Sequence, residues 1–491
     1  MVSLVKIKRV FVANRGDSAV RIEQTCKRLG IETVAIFTES DRNSLHVKLA
    51  DEAYLVSSYM NAEEIVALAL ETGCQAIHAG YGFLSEKAEF VKLCEQKGIC
   101  FVGPSSPVIE RMGNKMNAKQ AAREAQVLVL QATKVLDLTG ILQEIEQSGM
   151  SFPVVVKAAG GGGGLAIEVV TLSADLEQAA LRVQTQAQRL FGNPSVYVES
   201  YVAGAAHIEV QIVADQYGNV IHLGERECSL QRRLQKLIEE TPSSKLTNSQ
   251  REEICNAAVR LASAVGYTGI GTVEFLFDPV SGKFYFLEMN TRIQVEHAIT
   301  EMVTGIDLVE IQFLIAEGCR LDDIYVRGTK LTDIKPQGWA MEGRIYPERL
   351  RWIKNLRARE FVPNPGAYAL LEFSPQESPW VRLDTVLEPR SPHTPQIAAE
   401  YSNLLARLIT WGATRDEALH RMKGALKETI ITVGTNIPFL QVLIELEEFE
   451  GGTHHIQTLG NQATLAKIGA RIAQLEREEL GRVLFRCQAL L

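Results

Sequence analysis

The stretch from Glu288 to His297 constrains this chain most, because charged and amide side chains recur in it at every second position. It reads EMNTRIQVEH and follows the mostly apolar run Lys283–Leu287, which predicts a strand leading into an active-site loop. Alternate side chains of an extended chain share one face. The polar residues predicted to line that face are Glu288, Asn290, Arg292, Gln294 and Glu296. A structural strand rarely buries such groups unpaired, because each would cost free energy. The alternative is a solvated sheet edge.

A second predicted strand, Thr272–Phe277, carries a further carboxylate at Glu274. Two carboxylates on neighbouring strands suit Mg²⁺, which takes oxygen ligands and bridges nucleotide phosphates. Asn290 can supply a third oxygen. Arg292 then remains to hold a small planar anion with its guanidinium, and Glu296 to act as a base. The two segments therefore predict a metal site beside an anion site.

Composition bounds the class of protein. A chain of 491 residues predicts two to four domains, and 46% hydrophobic with 22% charged residues is an ordinary globular balance. The formal net charge of −8 argues against a nucleic-acid binder. Eight scattered cysteines without a CxxC pair indicate reduced thiols in a cytoplasmic protein. We expect no membrane span, no export signal and no plastid transit peptide, because no long apolar run or apolar signal core is seen.

The N-terminal segment predicts a parallel sheet. An apolar strand at Arg9–Asn14, a helical pattern at Ser18–Leu29 and a strand at Thr33–Phe37 form a βαβ unit. Further on, Ala76–Glu86 places two glycines around Tyr81 directly after a strand. Open α/β sheets bind ligands at such strand ends, although an ordinary βα turn is the alternative.

A run of glycines, Gly160–Gly164, separates the predicted strands Pro153–Lys157 and Ile167–Thr171. Such a backbone can approach phosphates closely and offer them N–H groups. The strands on either side favour a hairpin lid over a nucleotide, whereas the glycines alone would also fit a flexible linker.

The ten positions from Glu288 to His297 resemble, without a break, the signature E-M-N-x-R-x-Q-V-E-H of the ATP-grasp core of biotin carboxylases. The resemblance extends from about Val5 to about Leu459. It includes the family's glycine loop H-P-G-Y-G-F-L-S-E at 78–86, E-R-x-C-S-x-Q-R-R-x-Q-K at 225–236 and A-x-E-x-R-I at 340–345.

This resemblance implies an α/β and α+β multidomain fold. The expected regions are a doubly wound N-terminal α/β domain at 1–115, an ATP-grasp lid at 130–202, the ATP-grasp core at 203–335, a C-terminal α+β subdomain at 336–460 and an amphipathic helical tail at 461–491. In the tail, Leu465, Ile468, Ile472 and Leu475 recur at helical spacing. That stripe predicts a helix packed on its own domain, and the alternative is a docking helix for a partner subunit.

The activity implied by the resemblance is carboxylation of biotin by bicarbonate with ATP and Mg²⁺ or Mn²⁺. The implied catalytic residues are Glu296, Arg292, Lys236 and Arg344. The implied ATP-binding residues are Lys115, Lys157, Gly162, Gly163, Gly164, Glu199, Val202, His207, Gln231 and Leu276. The implied metal ligands are Glu274, Glu288 and Asn290. Bicarbonate and biotin would meet Arg292, Gln294, Val295, Tyr81 and Arg344.

The implied partners are a separate biotin carboxyl carrier protein and carboxyltransferase subunits of an acetyl-CoA or other acyl-CoA carboxylase, as in fatty acid biosynthesis. The chain itself has no biotin attachment motif of the A-M-K-M type. A homodimer is also expected, although Gln24 and Arg28 stand where related dimers often carry an arginine and a glutamate.

Several positions depart from the family pattern. Leu165-Ala166-Ile167 replaces Arg-Gly-Met in the lid, Leu234 replaces a histidine, Ala79 replaces a proline, and 398–407 lacks the aromatic pair and aspartate. These departures motivate an alternative, an ATP-binding paralogue with little turnover and a regulatory or structural role. Another ATP-grasp carboxylate–amine ligase is a weaker alternative, because it would not need Arg292, Glu296 and Arg344 together.

Overall fold

A computed structural model gives the fold of the chain. It describes residues 6–134, 138–159, 165–232, 235–353, 358–364, 366–367, 370–373, 378–388, 396–397, 404–431, 434–460, 468–478 and 480–482. Within these ranges, no helix combines the length and the apolar character needed to cross a membrane.

The N-terminal region is a parallel sheet with strand order β3-β2-β1-β4-β5, flanked by helices. The three central strands, β2, β1 and β4, are mostly buried and apolar, as expected for a parallel sheet whose faces are covered by crossover helices. The predicted βαβ unit is confirmed. The elements are β1 (Arg9–Val12), α1 (Gly16–Leu29), β2 (Glu32–Phe37), α2 (Leu45–Leu49), β3 (Glu52–Leu55), α3 (Ala62–Glu71), β4 (Ala76–His78), α4 (Ala88–Lys97), β5 (Cys100–Phe101), α5 (Ser106–Gly113) and α6 (Lys115–Glu124).

The next region is a small antiparallel sheet with strand order β7-β6-β8, covered by two helices. Its elements are α7 (Leu138–Ser148), β6 (Val154–Ala158), β7 (Ile167–Val170), α8 (Leu176–Phe191) and β8 (Val196–Ser200). The strands on either side of the glycine run pair as a hairpin, as predicted, with Lys157 opposite Ile167. The glycines 160–164 themselves lie outside the described residues.

A long antiparallel sheet runs through the rest of the molecule in the order β13-β12-β9-β10-β11-β16-β23-β21. Helix α9 packs on β9 and β10 and fills the core on that face. The first part of this region contains β9 (Ala206–Ala214), β10 (Val220–Arg232), β11 (Gln235–Thr241), α9 (Asn248–Ala264), β12 (Gly269–Phe277), β13 (Phe284–Asn290), α10 (His297–Thr304), α11 (Leu308–Ala316), β14 (Tyr325–Val326) and β15 (Thr329–Lys330).

The C-terminal region contributes three strands to the same sheet and packs its helices on them. Its elements are β16 (Trp339–Ile345), β17 (Glu348–Ile353), β18 (Ala358–Pro363), β19 (Gly366–Ala367), β20 (Leu370–Glu372), β21 (Val381–Thr385), β22 (Gln396–Ile397), β23 (Ala406–Gly412), α12 (Arg415–Glu428), β24 (Ile430–Ile431), α13 (Ile437–Leu443) and α14 (Glu447–Glu450). The proposed boundary at 335/336 therefore falls between two hydrogen-bonded neighbours, β11 and β16.

The tail is helical at 468–478 and 480–482. Ile468 and Ile472 are buried in the C-terminal core, and Leu475 packs against it. Leu465 lies outside the described residues. The apolar stripe of the tail thus packs on its own chain.

One expectation about local structure is wrong. Strand β13 ends at Asn290, so Arg292, Gln294 and Glu296 do not continue its face; they lie in the turn before α10. Helix α11 begins at Leu308, because the Asp307 carboxylate accepts the Glu310 N–H and caps the helix there.

Candidate active site

Two carboxylates face each other across β12 and β13, where Glu274 is the register partner of Glu288. Burial, followed by the charge of Glu274, raises the pKa of Glu288 above its ordinary value. Although burial alone would raise the pKa of Glu274, Lys236 and His207 hold it well below its usual range. His207 Nε2 lies 2.9 Å from Glu274 Oε2. The pair is therefore one anion beside one carboxyl that resists ionisation.

This pair fits a divalent cation. The repulsion that raises the pKa of Glu288 would be relieved by a cation between the two carboxylates, and oxygen donors are what Mg²⁺ prefers. Asn290 lies beside them, because its Nδ2 donates to Glu274 Oε1 over 3.0 Å. The predicted ligands Glu274, Glu288 and Asn290 thus lie together.

Lys236 and Arg344 hold Glu296 between them. Lys236 Nζ donates to Glu296 Oε1 over 2.6 Å, and Arg344 Nη2 donates to Glu296 Oε2 over 2.8 Å. Glu296 is only 2% exposed. Burial alone would raise its pKa, but Lys236, Arg344 and Arg226 hold that pKa well below the usual value. At neutral pH this carboxylate is ionised and can accept a proton.

A second carboxyl pair lies behind Arg344. Glu239 on β11 and Glu342 on β16 are register partners, and Arg344 Nη2 lies 2.6 Å from Glu239 Oε1. Burial raises the pKa of Glu239 to about 7 and that of Glu342 well above its ordinary value. Arg344 is thereby held between two carboxyls, Glu239 and Glu296.

The glycine loop after β4 supports the residues predicted to bind an anion. Glu86, at the end of that loop, accepts a hydrogen bond from Arg292 Nε over 2.9 Å and another from the Thr291 N–H over 3.1 Å. Arg292 Nη2 also donates to Asn290 Oδ1 over 2.9 Å. Gln294 Nε2 donates to Glu274 Oε1 over 2.9 Å. The turn that follows β13 therefore brings these side chains to Glu274 by a route other than strand alternation.

Arg407 and Asp17 connect Val295 with Tyr81. The fully buried Arg407 donates to the Val295 carbonyl and lies 3.7 Å from Asp17, while the Tyr81 hydroxyl donates to Asp17. Arg407 Nη2 is also 3.0 Å from Asp384. Of the divergent segment 398–407, residues 398–403 lie outside the described residues.

The predicted nucleotide residues occupy the side of the site next to the lid. Lys115 Nζ donates to the Ala158 carbonyl over 3.4 Å, and Lys157 donates to Glu199. Gln231 Nε2 donates to the Cys228 carbonyl over 3.2 Å and lies 3.4 Å from His207 Nδ1. Val202, after β8, and Leu276, on β12, are half-buried. Gly162, Gly163 and Gly164 lie outside the described residues, as does Leu234.

Sequence reasoning missed several residues of this site. Arg226 is fully buried and donates to Glu209, Gln211, Thr272, Gln294 and Thr300. Glu209 also accepts Lys236 Nζ over 2.6 Å. Lys119, which donates to Glu199, was also missed. Its spacing of four residues from Lys115 on α6 was the available signal, because such residues share a helix face.

Comparison with known proteins follows the same division of the chain. The family descriptions that match are "Biotin carboxylase, N-terminal domain" at residues 6–109, "Carbamoyl-phosphate synthase L chain, ATP binding domain" at 114–324 and "Biotin carboxylase C-terminal domain" at 342–461. Biotin carboxylase 1 of Bacillus subtilis is 43% identical over 465 residues, which cover 92% of this chain and 98% of the relative. The chain belongs to the biotin carboxylase family.

Two other similar proteins indicate the range of carboxylases that contain such a chain. The mitochondrial methylcrotonoyl-CoA carboxylase subunit alpha of Oryza sativa is 41% identical, over 97% of this chain and 64% of the relative. The crystal structure of the biotin carboxylase domain dimer of Hydrogenobacter thermophilus 2-oxoglutarate carboxylase, with MgADP, ADP and bicarbonate, superposes with a TM-score of 0.84 at 39% identity. The superposition covers 93% of this chain and 98% of the chain in that crystal structure. The predicted fold and the assignment to a ligase family are thereby confirmed.

Proposed function

We propose that this chain carboxylates biotin with ATP and bicarbonate, on a biotin carboxyl carrier protein that is a separate polypeptide. The observation that carries the proposal is the environment of Glu296. This carboxylate is buried and ionised, and it accepts hydrogen bonds from Lys236 and Arg344. It lies in the turn that follows β13, the strand on which Glu288 faces Glu274. Lys236 contacts Glu274 as well as Glu296, so this carboxylate lies beside the predicted metal site and is not a separate ion pair.

The metal and phosphate side of the site follows from charge. Glu274, Glu288 and Asn290 would hold Mg²⁺, which when bound supplies positive charge between nucleotide phosphates. Lys115, Lys157, Lys236 and His207 then neutralise charge that spreads over the transferring phosphoryl oxygens.

Arg292, Gln294 and the Val295 backbone would orient bicarbonate, and Glu296 would take its proton as the oxygen attacks the γ-phosphate of ATP. The low pKa of Glu296 is compatible with this role, because its two counter-ions are also the groups that incoming anions would engage. When Lys236 turns towards a phosphoryl oxygen, Glu296 loses one of the charges that depress its proton affinity. The products of this step are ADP and carboxyphosphate.

Biotin would bind on the Arg344 side, near Tyr81. Carboxyphosphate breaks to CO₂ and phosphate, phosphate takes the proton of the biotin N1′, and that nitrogen attacks CO₂. Arg344 would stabilise the negative ureido oxygen that forms when the proton leaves. Glu239 keeps Arg344 in place from behind, over 2.6 Å.

The test is bicarbonate-dependent ATP hydrolysis, measured with and without free biotin. We expect hydrolysis to require bicarbonate and to rise with biotin. Glu296→Gln should lower turnover by roughly 10²–10⁴ while ATP affinity hardly moves, because the amide keeps the shape but accepts no proton.

A matched control is Glu240→Gln. Glu240 is a buried carboxylate that is not one of the site residues, and it accepts a hydrogen bond from Arg415 Nε over 2.6 Å. It should lower stability without removing turnover. Biotin-independent hydrolysis that survives Glu296→Gln would reject the proposal and favour an ATP-binding paralogue. ATP-dependent joining of a carboxylate substrate to an amine, with release of ADP and phosphate and without bicarbonate or biotin, would favour another ATP-grasp ligase.

We further propose that the chain serves an acetyl-CoA or other acyl-CoA carboxylase and works with carboxyltransferase subunits. The similarity to Biotin carboxylase 1 of Bacillus subtilis, over 98% of that relative, supports a carrier on a separate polypeptide. The test is transfer of labelled carboxylate from this enzyme, through a purified carrier protein, to acetyl-CoA, methylcrotonoyl-CoA, pyruvate or 2-oxoglutarate with the matching carboxyltransferase. Transfer to the 2-oxo acids alone would contradict the acyl-CoA assignment.

A further inference from the structure

Glu199 is a buried carboxylate that forms ion pairs with two lysines. One of its oxygens accepts Lys119 Nζ and the other accepts Lys157 Nζ. The Glu199 side chain is 3% exposed, and those of Lys119 and Lys157 are 6% and 12% exposed. Burial alone would raise the pKa of Glu199, but the two ammonium groups hold it below its usual value. One buried negative charge is therefore compensated twice.

The two lysines differ in how they are held. Lys119 Nζ also lies 4.6 Å from the centroid of the Tyr197 ring, on the strand that carries Glu199, so it is held by an ion pair and by a cation–π contact. Among the described residues, the Lys157 ammonium hydrogen-bonds to Glu199 alone. Lys157 is also the more exposed of the two, and it lies on β6 at the start of the glycine hairpin.

Lys157 is not a free phosphate ligand in this arrangement, because its ammonium group is paired with Glu199 and its approach to a phosphate would weaken or break that pair. With a single lysine, that movement would leave a buried carboxylate without a counter-ion, which is strongly unfavourable. With Lys119 in place, Lys157 can leave and Glu199 stays paired. Lys119 and Lys115 lie one turn apart on α6, so the same helix supplies both charges.

We infer that Lys119 is a positioning residue of the nucleotide site: it remains on Glu199 as a fixed counter-ion and so releases Lys157 to the nucleotide phosphates. The inference rests on the proposed function, because that function makes Lys157 a phosphate ligand. It also explains how Glu199, itself a predicted nucleotide-binding residue, stays ionised after Lys157 has moved.

The first measurement is the Kd of MgATP by calorimetry, without bicarbonate or biotin, so that no turnover is needed. Lys119→Met should raise this Kd roughly tenfold or more, because Lys157 then has to remain on Glu199. Lys119→Arg should restore binding, because it returns a fixed positive charge to Glu199. The control is Gln120→Met, which alters an exposed neighbour on the same helix and should leave Kd unchanged.

A double-mutant cycle with Glu199→Gln decides the mechanism. Once the carboxylate is an amide, Lys157 needs no replacement counter-ion, so Lys119→Met should have almost no further effect on the Kd of MgATP. An equally large effect in both backgrounds would mean that Lys119 itself contacts the nucleotide, and would overturn the inference.

Two other results would also overturn it. A lower melting temperature of Lys119→Met with an unchanged Kd would reduce Lys119 to a structural lysine. Loss of binding that Lys119→Arg fails to restore would mean that its charge is not what matters. Failure of the proposed function is a separate result, since wild-type protein that binds MgATP but shows no biotin-dependent hydrolysis rejects the function and leaves the Kd comparison intact.

Discussion

Glu296 and Glu23 are both buried carboxyls, but they lie in opposite electrostatic environments. Glu296 has Lys236 and Arg344 as counter-ions and is held ionised. Glu23, on α1, is 3% exposed, and neither of its oxygens has a hydrogen-bond partner among the described residues. Burial, assisted by the charge of Asp51, raises the pKa of Glu23 to about 9. The first carboxyl serves the site, whereas the second only costs stability.

Replacing Glu23 should therefore stabilise the protein. We expect Glu23→Leu to raise the free energy of unfolding by about 1–3 kcal/mol at pH 8, because an unpaired buried polar group is removed. The gain should be smaller at pH 5. Below the ordinary value of 4.5 the carboxyl is neutral in both states, and between 4.5 and about 9 only the unfolded state ionises, so wild-type stability falls as pH rises.

Urea unfolding at pH 5 and pH 8 measures this difference. Glu23→Gln is the matched control, because it removes the titration but keeps an unbonded polar group. It should flatten the pH dependence while recovering less stability. Equal gains for Glu23→Leu at both pH values would show that the Glu23 carboxyl is already ionised in the folded protein.

At the scale of single residues, the sequence predicted which side chains lie in the site better than it predicted how the backbone brings them there. Alternation identified Arg292, Gln294 and Glu296. These side chains do contact Asn290, Glu274 and Lys236, respectively, but a turn brings them there after β13 has ended. Lys119 and Arg226 could not be singled out, because a helix or strand position does not reveal which charge a buried side chain will meet. Their partners, Glu199 and Glu209, are 80 and 17 positions away in the chain.

At the scale of secondary-structure elements, the altered glycine motif affects the backbone of the lid hairpin. Ala166, which stands where the family has glycine, has φ of +53°, in the left-handed region that costs an L residue about 1–2 kcal/mol. Its methyl group is buried in the lid core, which offsets part of that cost. Leu165 beside it is 54% exposed. The hairpin thus keeps a glycine-type backbone without the glycine.

We expect Leu165→Arg/Ala166→Gly/Ile167→Met to lower the KM for ATP by roughly tenfold, because it relieves the strained backbone and restores a charged donor. Ala166→Gly alone should give a smaller part of this gain. Steady-state ATP hydrolysis, with and without a carrier protein, is the measurement. If wild type already matches the triple variant in KM and turnover, the three substitutions are neutral and the lid is not limiting.

The tail helix should stabilise the C-terminal region. Removal of everything after Gly460 exposes the core surface that Ile468 and Ile472 cover, so we expect a loss on the order of 3 kcal/mol and a lower melting temperature. Binding of the carrier protein should survive. Unchanged melting together with lost carrier or carboxyltransferase binding would instead identify the tail as a docking helix.

Element types followed from periodicity, while their ends depended on caps. The helix predicted at Ser18–Leu29 ends at Leu29 but begins two residues earlier, at Gly16. Helix α11 begins at Leu308, because the Asp307 carboxylate caps it. A single carboxylate, and not the apolar pattern, decides that boundary.

For the whole molecule, the open question is assembly. Arg28, which stands where related dimers often carry a glutamate, donates to Asp307 and Glu310 of its own chain over 2.8 and 2.6 Å. It is therefore engaged within the chain. Exposed ion pairs contribute little on their own, so we still expect a homodimer. Light scattering at micromolar protein should give twice the mass of 54.3 kDa, and a monomer mass alone would contradict the expectation.

The parallel N-terminal sheet, the lid hairpin and the large sheet were within reach of the sequence, because strand periodicity and the family motif both point to them. That one sheet would continue from β11 into β16 was not, since the apolar pattern does not say which strand edges meet.

Because this sheet is continuous, the segments of the chain that match separate family descriptions do not correspond to separate folding units. Similarity divides the chain between residues 324 and 342, yet strand pairing crosses that division, with Ile238 opposite Gly343 and Glu240 opposite Met341. A chimera joined there would have to match two strand edges from different ancestors, and half a chain expressed alone would expose an unpaired edge. Recombination among these enzymes should therefore have exchanged the lid or the N-terminal sheet far more readily than the C-terminal third.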